Sequence, residues 1–201
     1  MKKLLTATLL LCAFASCGPA TQIEKSWLDP VQTTRFNNFK KVLVVVFAQS
    51  ETSRRVAEEM LAKELGPSAV ASYNYSSISS KAGDADAIAD ALKKDGFDGA
   101  IVTRLIDKEK ETTYVPGRVS YPFYGGFRGY YRFGYGAYVE PGYYIEDKIY
   151  YVETNAYDLL AEKLLWSGVT RTTNPGQLNK VLQGFATVVV DQMKKDGFIK
   201  P

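Results

Sequence analysis

The run Lys41-Val-Leu-Val-Val-Val-Phe47 is continuously apolar and rich in β-branched residues, the pattern of a strand buried on both faces. Helix signals follow at once. Ser50 can cap a helix whose face carries Val56, Met60, Leu61 and Leu65, and Gly66-Pro67 stops it. Residues 69–75 read as a second strand, and residues 76–83 as a polar, serine-rich loop. A second helix is expected over 84–95, with Ile88, Ala91 and Leu92 inward and Gly96 closing it. Residues 97–106 form the third strand, with alternation that continues toward Val115. Two later strands, 144–157 and 163–172, are joined only by residues 158–162, close enough for an antiparallel hairpin. A last helix begins near Pro175, with Leu178, Val181, Leu182, Phe185, Val188, Val189 and Met193 on one face. The pattern specifies an α/β fold: a single domain with a mixed sheet of about five strands and three helices. It has a parallel βαβαβ start, with Lys41–Phe47 central and 97–106 beside it, and an antiparallel hairpin.

The pentapeptide Lys-Lys-Asp-Gly-Phe occurs twice, at 93–97 and 194–198. Each copy ends an expected helix. The lysines suit the carbonyl end, the glycine takes a left-handed turn and the phenylalanine packs back. The repeat is therefore a capping device and not a duplicated domain.

Residues 116–144 differ in kind from the rest. Positions 121–144 hold eleven aromatic residues in 24, interleaved with glycines, and Glu140 is the only acid among them. Glycine at this density disfavours regular helix or strand, so the insert reads as a long, adaptable loop. Tyrosine supplies contact area and a hydroxyl at low rotamer cost, and arginine stacks on rings or grips anions. Arg118, Tyr124, Phe127, Arg128, Tyr130, Tyr131, Arg132 and Tyr135 are the candidate partner-binding residues. The other reading is a low-complexity segment that packs over the sheet or stays disordered.

The chain begins with Lys2 and Lys3, an apolar stretch from Leu4 to Phe14, then Ala15-Ser16-Cys17. That is the layout of a secretory signal. It resembles the bacterial lipobox, with Phe14 where such sites usually carry leucine, and the resemblance implies that Cys17 is acylated. The apolar stretch is too short to span a bilayer, which takes about 20 residues. Residues 1–16 are then a signal peptide, 17–26 a tether, and 27–201 one domain carrying the insert 116–144. In a Gram-negative cell, Gly18 in place of an aspartate points to the outer membrane, with the domain in the periplasm.

Removing residues 1–16 takes away two lysines and no acid, which leaves 23 basic and 22 acidic residues. A net charge of +1 makes no case for a nucleic acid partner. The chain has no histidine, and its two cysteines are Cys12, inside the signal, and Cys17. That removes the commonest general base and metal ligand, any triad built on histidine, and any cysteine nucleophile or zinc-cysteine site. No cofactor and no metal is expected.

Carboxylates remain. Asp84, Asp86 and Asp90 suit the positive start of a helix, and Asp107, Glu109 and Glu111 alternate with lysines as at a solvated strand end. A hydrolase would need two carboxyls converging in a pocket. The glycines near 125 make no phosphate loop, because no Gly-Lys-Ser/Thr follows them. Trp27, beside Asp29-Pro30, reads as a ring pinned into the domain, and the other reading is a docking segment near the membrane.

Lys25-Ser-Trp-Leu-Asp-Pro30, Lys40-Lys-Val-Leu-Val-Val-Val46, Gly96-Phe-Asp-Gly-Ala-Ile-Val-Thr-Arg104, the Tyr/Gly-rich insert and Leu165-Trp-Ser-Gly168 resemble an uncharacterised family of small bacterial envelope lipoproteins. The order of elements is also similar to lipoprotein activators of penicillin-binding proteins, to the N-terminal domain of the Tol-system propeller protein and to the curli-secretion lipoprotein. The resemblance implies a fold and brings no catalytic residue. The expected function is that of a membrane-anchored, non-enzymatic binding or accessory factor that contacts an envelope protein or peptidoglycan. The alternatives are a passive structural lipoprotein and a carboxylate-based cell-wall glycosidase.

Overall fold

The computed structural model describes residues 21–31, 34–75, 85–120 and 138–200. Its strands are β1 (Thr21–Leu28), β2 (Val42–Phe47), β3 (Ala69–Ala71), β4 (Gly99–Val115), β5 (Arg118–Ser120), β6 (Tyr138–Glu140), β7 (Tyr143–Asp158) and β8 (Lys163–Thr173). The α-helices are α1 (Glu51–Leu65), α2 (Ala85–Lys94) and α3 (Leu178–Lys195). Six strands form one sheet in the order β1-β8-β7-β4-β2-β3, and β5 pairs with β6 in a separate ribbon. As the apolar run at 41–47 implies, β2 is internal, parallel to both β3 and β4. The β7–β8 hairpin extends the sheet antiparallel from β4.

The main sheet has six strands where about five are expected, and the extra one comes from the segment assigned to a tether. Residues 21–26 belong to β1, which runs antiparallel to β8 from Thr21 opposite Thr172 to Leu28 opposite Trp166. A register shift between Ile23 and Lys25 accounts for the weak sequence signal. A bulge inserts one residue into the two-residue alternation, so no single apolar face runs the length of the segment. Smaller differences follow local chemistry. The expected strand 69–75 stops at Ala71 and turns through a 3-10 segment, and α3 starts at Leu178 and not at Pro175.

The helices cover the sheet on two sides. Helices α1 and α3 pack on one face, where Val42, Val44, Leu61, Ile101, Trp166, Val189 and Met193 share a core. Helix α2 closes a smaller core on the other face, built on Leu43, Leu92, Phe97 and Ala100. The repeated pentapeptide caps both α2 and α3. Gly96 and Gly197 adopt φ of 81° and 78°. Phe97 and Phe198 donate backbone N–H bonds of 2.9 Å to the carbonyls of Leu92 and Met193, and both rings are buried. The pinned tryptophan is Trp166 and not Trp27. Trp166 is fully buried and donates its indole N–H to Asp196 at 2.8 Å. Trp27 is 46 % exposed, because its position on β1 faces the side of the sheet that α3 does not cover.

A buried carboxylate fixes the end of β2 against α1. Glu58 is fully buried and accepts from the Val46 N–H at 3.1 Å, the Ser72 hydroxyl at 2.6 Å and the Tyr73 N–H at 3.0 Å. Its bonds satisfy backbone donors that neither the sheet nor the 3-10 turn supplies with partners, which is what makes an acid tolerable there.

Candidate functional site

Beyond the body of the sheet, β4 and β7 continue together as a two-stranded arm. Strand β2 ends opposite Arg104 and β8 ends opposite Ile149, while β4 and β7 remain paired out to Val115 and Tyr143. The six pairs beyond β8, from Lys110–Lys148 to Val115–Tyr143, span roughly 20 Å at ~3.4 Å per residue. An Asn174 clamp marks the point where β8 leaves the arm. Its backbone, at φ 46°, donates to the Lys148 carbonyl, its side-chain oxygen accepts from the Lys148 N–H, and its amide donates to Asp147 at 2.6 Å.

Directly opposed residues share a face of a ribbon, so the register divides the arm chemically. One face continues the side on which α1 and α3 pack. It presents Lys108, Lys110, Thr112 and Tyr114 beside Tyr150, Lys148, Glu146 and Tyr144. The Lys110–Glu146 ion pair at 3.2 Å and the Tyr114–Tyr144 ring contact at 5.0 Å lie here. The other face carries Asp107, Glu109, Glu111, Thr113 and Val115 beside Tyr151, the buried Ile149, Asp147, Ile145 and Tyr143. It has four carboxylates and, across Tyr151 at its base, Arg171 of β8. Tyr151 donates to Glu109 there at 3.1 Å. Asp107, Glu109 and Glu111 are exposed, as the alternation with lysine implies, but they lie along an arm and not at a strand end.

The tip of the arm leads into the insert. Arg118 stands exposed in β5, opposite Glu140 of β6. The insert read as a loop over 116–144 thus contains the β5–β6 ribbon, and β7 begins inside its last two residues. Tyr124, Phe127, Arg128, Tyr130, Tyr131, Arg132 and Tyr135 lie outside the described residues, as do Cys17 and the signal peptide.

At the base of the arm is a cavity of about 470 Å³ that no motif in the sequence indicates. Its floor is Thr103, Leu105 and Lys108 of β4, Tyr150 and Val152 of β7 and Thr172 of β8, and its walls are the first halves of α1 and α3. It therefore opens beyond the carboxyl end of β2, where α/β sheets commonly hold ligands. Leu178, read from the sequence as core-facing, is 50 % exposed at its mouth, and Phe47 is 64 % exposed. A tight ionic cluster lies near one rim, at the start of α1. Glu51 accepts from Arg54 and Arg55 at 2.8 Å, and the bonds to these guanidinium groups hold its carboxyl down to about 2. Away from the cavity, the Lys93–Glu162 hydrogen bond raises the lysine and lowers the carboxylate. Among the described residues no helix is long and apolar enough to cross a membrane, and no group of three or more acidic, histidine or cysteine side chains could hold a metal.

No family model and no curated protein matches the chain. Solved structures do resemble it. The PelC dodecamer from Paraburkholderia phytofirmans is similar at 12 % identity, covering 83 % of this chain and 94 % of that one, with a TM-score of 0.43. Lipoprotein GNA1162 from Neisseria meningitidis is similar at 14 % identity over 77 % of this chain and 98 % of that one, with a TM-score of 0.40. A PDZ domain protein from Parabacteroides distasonis is similar at 13 % identity over 92 % of this chain but 38 % of its own length, with a TM-score of 0.38. One of the three is itself a lipoprotein, the class that the sequence resemblance names. At such scores no activity or partner transfers, and the particular families named from the sequence have no counterpart among the three.

Proposed function

We propose that the protein is an envelope lipoprotein, held at a membrane by lipid on Cys17, that works without catalysis by binding a protein partner through its arm and the aromatic segment at the arm's tip. The observation that supports this most is the chemical division of the arm. A two-stranded ribbon has no core of its own and is marginally stable alone. This one, counted from its base, aligns four carboxylates on one face, with Arg171 of β8 across Tyr151 at the base as the cation beside them. Like charges aligned on a ribbon cost stability, and an opposing basic surface offsets that cost. The acidic face thus favours a protein with a positive patch over a passive shield for the sheet. The absence of histidine from the chain and of a free thiol from residues 18–201 agrees with a binding role.

Photo-crosslinking in cells separates the readings. A crosslinker at Thr113, on the acidic face, is expected to capture a specific protein, and Glu109→Lys with Glu111→Lys is expected to abolish the capture. Adducts unchanged by that double substitution count against the arm as the contact. A deletion of residues 121–142 that folds, localises and complements normally removes the tip from the proposal. Cys17→Ser is expected to eliminate metabolic palmitate labelling, and unchanged labelling overturns the anchor.

A further inference from the structure

The cavity at the base of the arm has a composition that selects among ligands. Its surface is mostly apolar, with Ala57, Leu105, Val152, Leu178, Val181 and Phe185 among the lining residues and Gln49, Ser50 and Ser53 at the α1 side. Its floor threonines are already committed to other threonines: Thr103 bonds Thr154 at 3.0 Å, and Thr172 bonds Thr21 at 2.9 Å. Arg104 is likewise bound to Glu153, at 2.9 Å and 3.0 Å. A polar ligand would lose its water and gain few partners, whereas a chain of methylenes would lose nothing.

The arm end of the cavity is different. Lys108 lies there on the exposed face of β4, with its ammonium 5.8 Å from the centre of the Tyr150 ring and engaged by no carboxylate among the described residues. The first turn of α3 opens toward the same mouth, contains no acid and has no side-chain cap. An apolar interior of this size behind a positive mouth fits one class of molecule. We infer that the cavity binds a single acyl chain bearing an anionic head, with the chain lying between α1 and α3 and the head at Lys108. This site is separate from the acidic face of the arm and does not depend on the partner proposed for it.

The test is calorimetric titration of the full chain carrying Cys17→Ser, so that no acyl chain of its own enters the measurement. The probes are dodecanoate, dodecyl phosphate and dodecyltrimethylammonium, each below its micelle concentration. Both anionic probes are expected to bind saturably at one per chain, and the cationic probe at least tenfold more weakly. Shortening dodecanoate to octanoate should weaken binding by roughly 250-fold, at about fourfold for each of the four methylenes buried. Lys108→Glu should abolish or reverse the preference for negative heads. Leu178→Asp should weaken both anionic probes at least tenfold while circular dichroism and Tm stay at the parent's values, since Leu178 is half exposed. Tight binding of the carboxylate alone would assign the ligand to free fatty acids. Equal or better binding of the phosphate would assign it to lipid phosphates. No saturable binding, equal binding of the cationic probe, or indifference to both substitutions overturns the inference.

Discussion

A Cβ at position 168 would run into the indole of Trp166, the largest fully buried side chain of the core. Gly168→Ala must therefore push the ring off its contact with Asp196 or bend β8, and overpacking of this kind costs about 1–3 kcal/mol. Urea unfolding should show that loss. Trp27→Ser, at a half-exposed ring, should stay within about 0.5 kcal/mol of the parent. Trp27 stands among Glu24, Lys25, Ser26 and Asp29 while Trp166 follows Leu164 and Leu165, a local difference in favour of burying Trp166 that the register of β1 against β8 completes. The capping glycines were legible, because everything they need lies within five residues. Glu51 gives a prediction in pH. Its folded value lies below its ordinary 4.5, so its contribution is fully present above 4.5 and is lost as pH falls toward about 2. Arg54→Ala with Arg55→Ala should move the midpoint of its carboxyl, followed by NMR, up toward 4.5.

Among the elements, α1 depends on a residue that its apolar periodicity hides. Glu58 lies on the buried side of the helix, and its charge gives no hint in sequence that it is enclosed. Glu58→Ala would strand the N–H groups of Val46 and Tyr73 and the hydroxyl of Ser72, at a cost of about 3 kcal/mol or more. Chemical denaturation should report that loss as a lower midpoint. Helix positions and the parallel start of the sheet follow directly from the apolar runs. Strand β1 does not, because its bulge interrupts the alternation, and the cavity does not, because its lining comes from six separate elements. Asn174 holds the base of the arm through a left-handed backbone and three hydrogen bonds. Its replacement by alanine should speed amide exchange at Ile145–Lys148 while leaving the helices protected.

At the scale of the whole molecule, the arm is the element whose form a single closed domain does not require. It carries no core, and its two faces differ in charge. The sequence showed the alternation of acids and lysines on β4, but not that Asp147 lies among those acids or that Lys148 lies among those lysines. That pairing follows from the register with β7. Charge reversal at Glu109 and Glu111 should therefore leave Tm near the parent's value, since both residues are exposed, while removing partner capture.

Strand β1 starts opposite Thr172, at the same end of the sheet from which the arm extends. With Cys17 lipidated, three residues separate the anchor from Thr21, four steps of chain and a leash of at most about 14 Å. The arm, at roughly 20 Å, is about half as long again. A body moored that closely has no headroom to stand its arm upright between itself and the bilayer, so the arm has to lie along the membrane like a boom lowered over a deck. Splicing a flexible dozen residues between Gly18 and Thr21 would raise the boom, and lipid crosslinks from Tyr144 would then fall away.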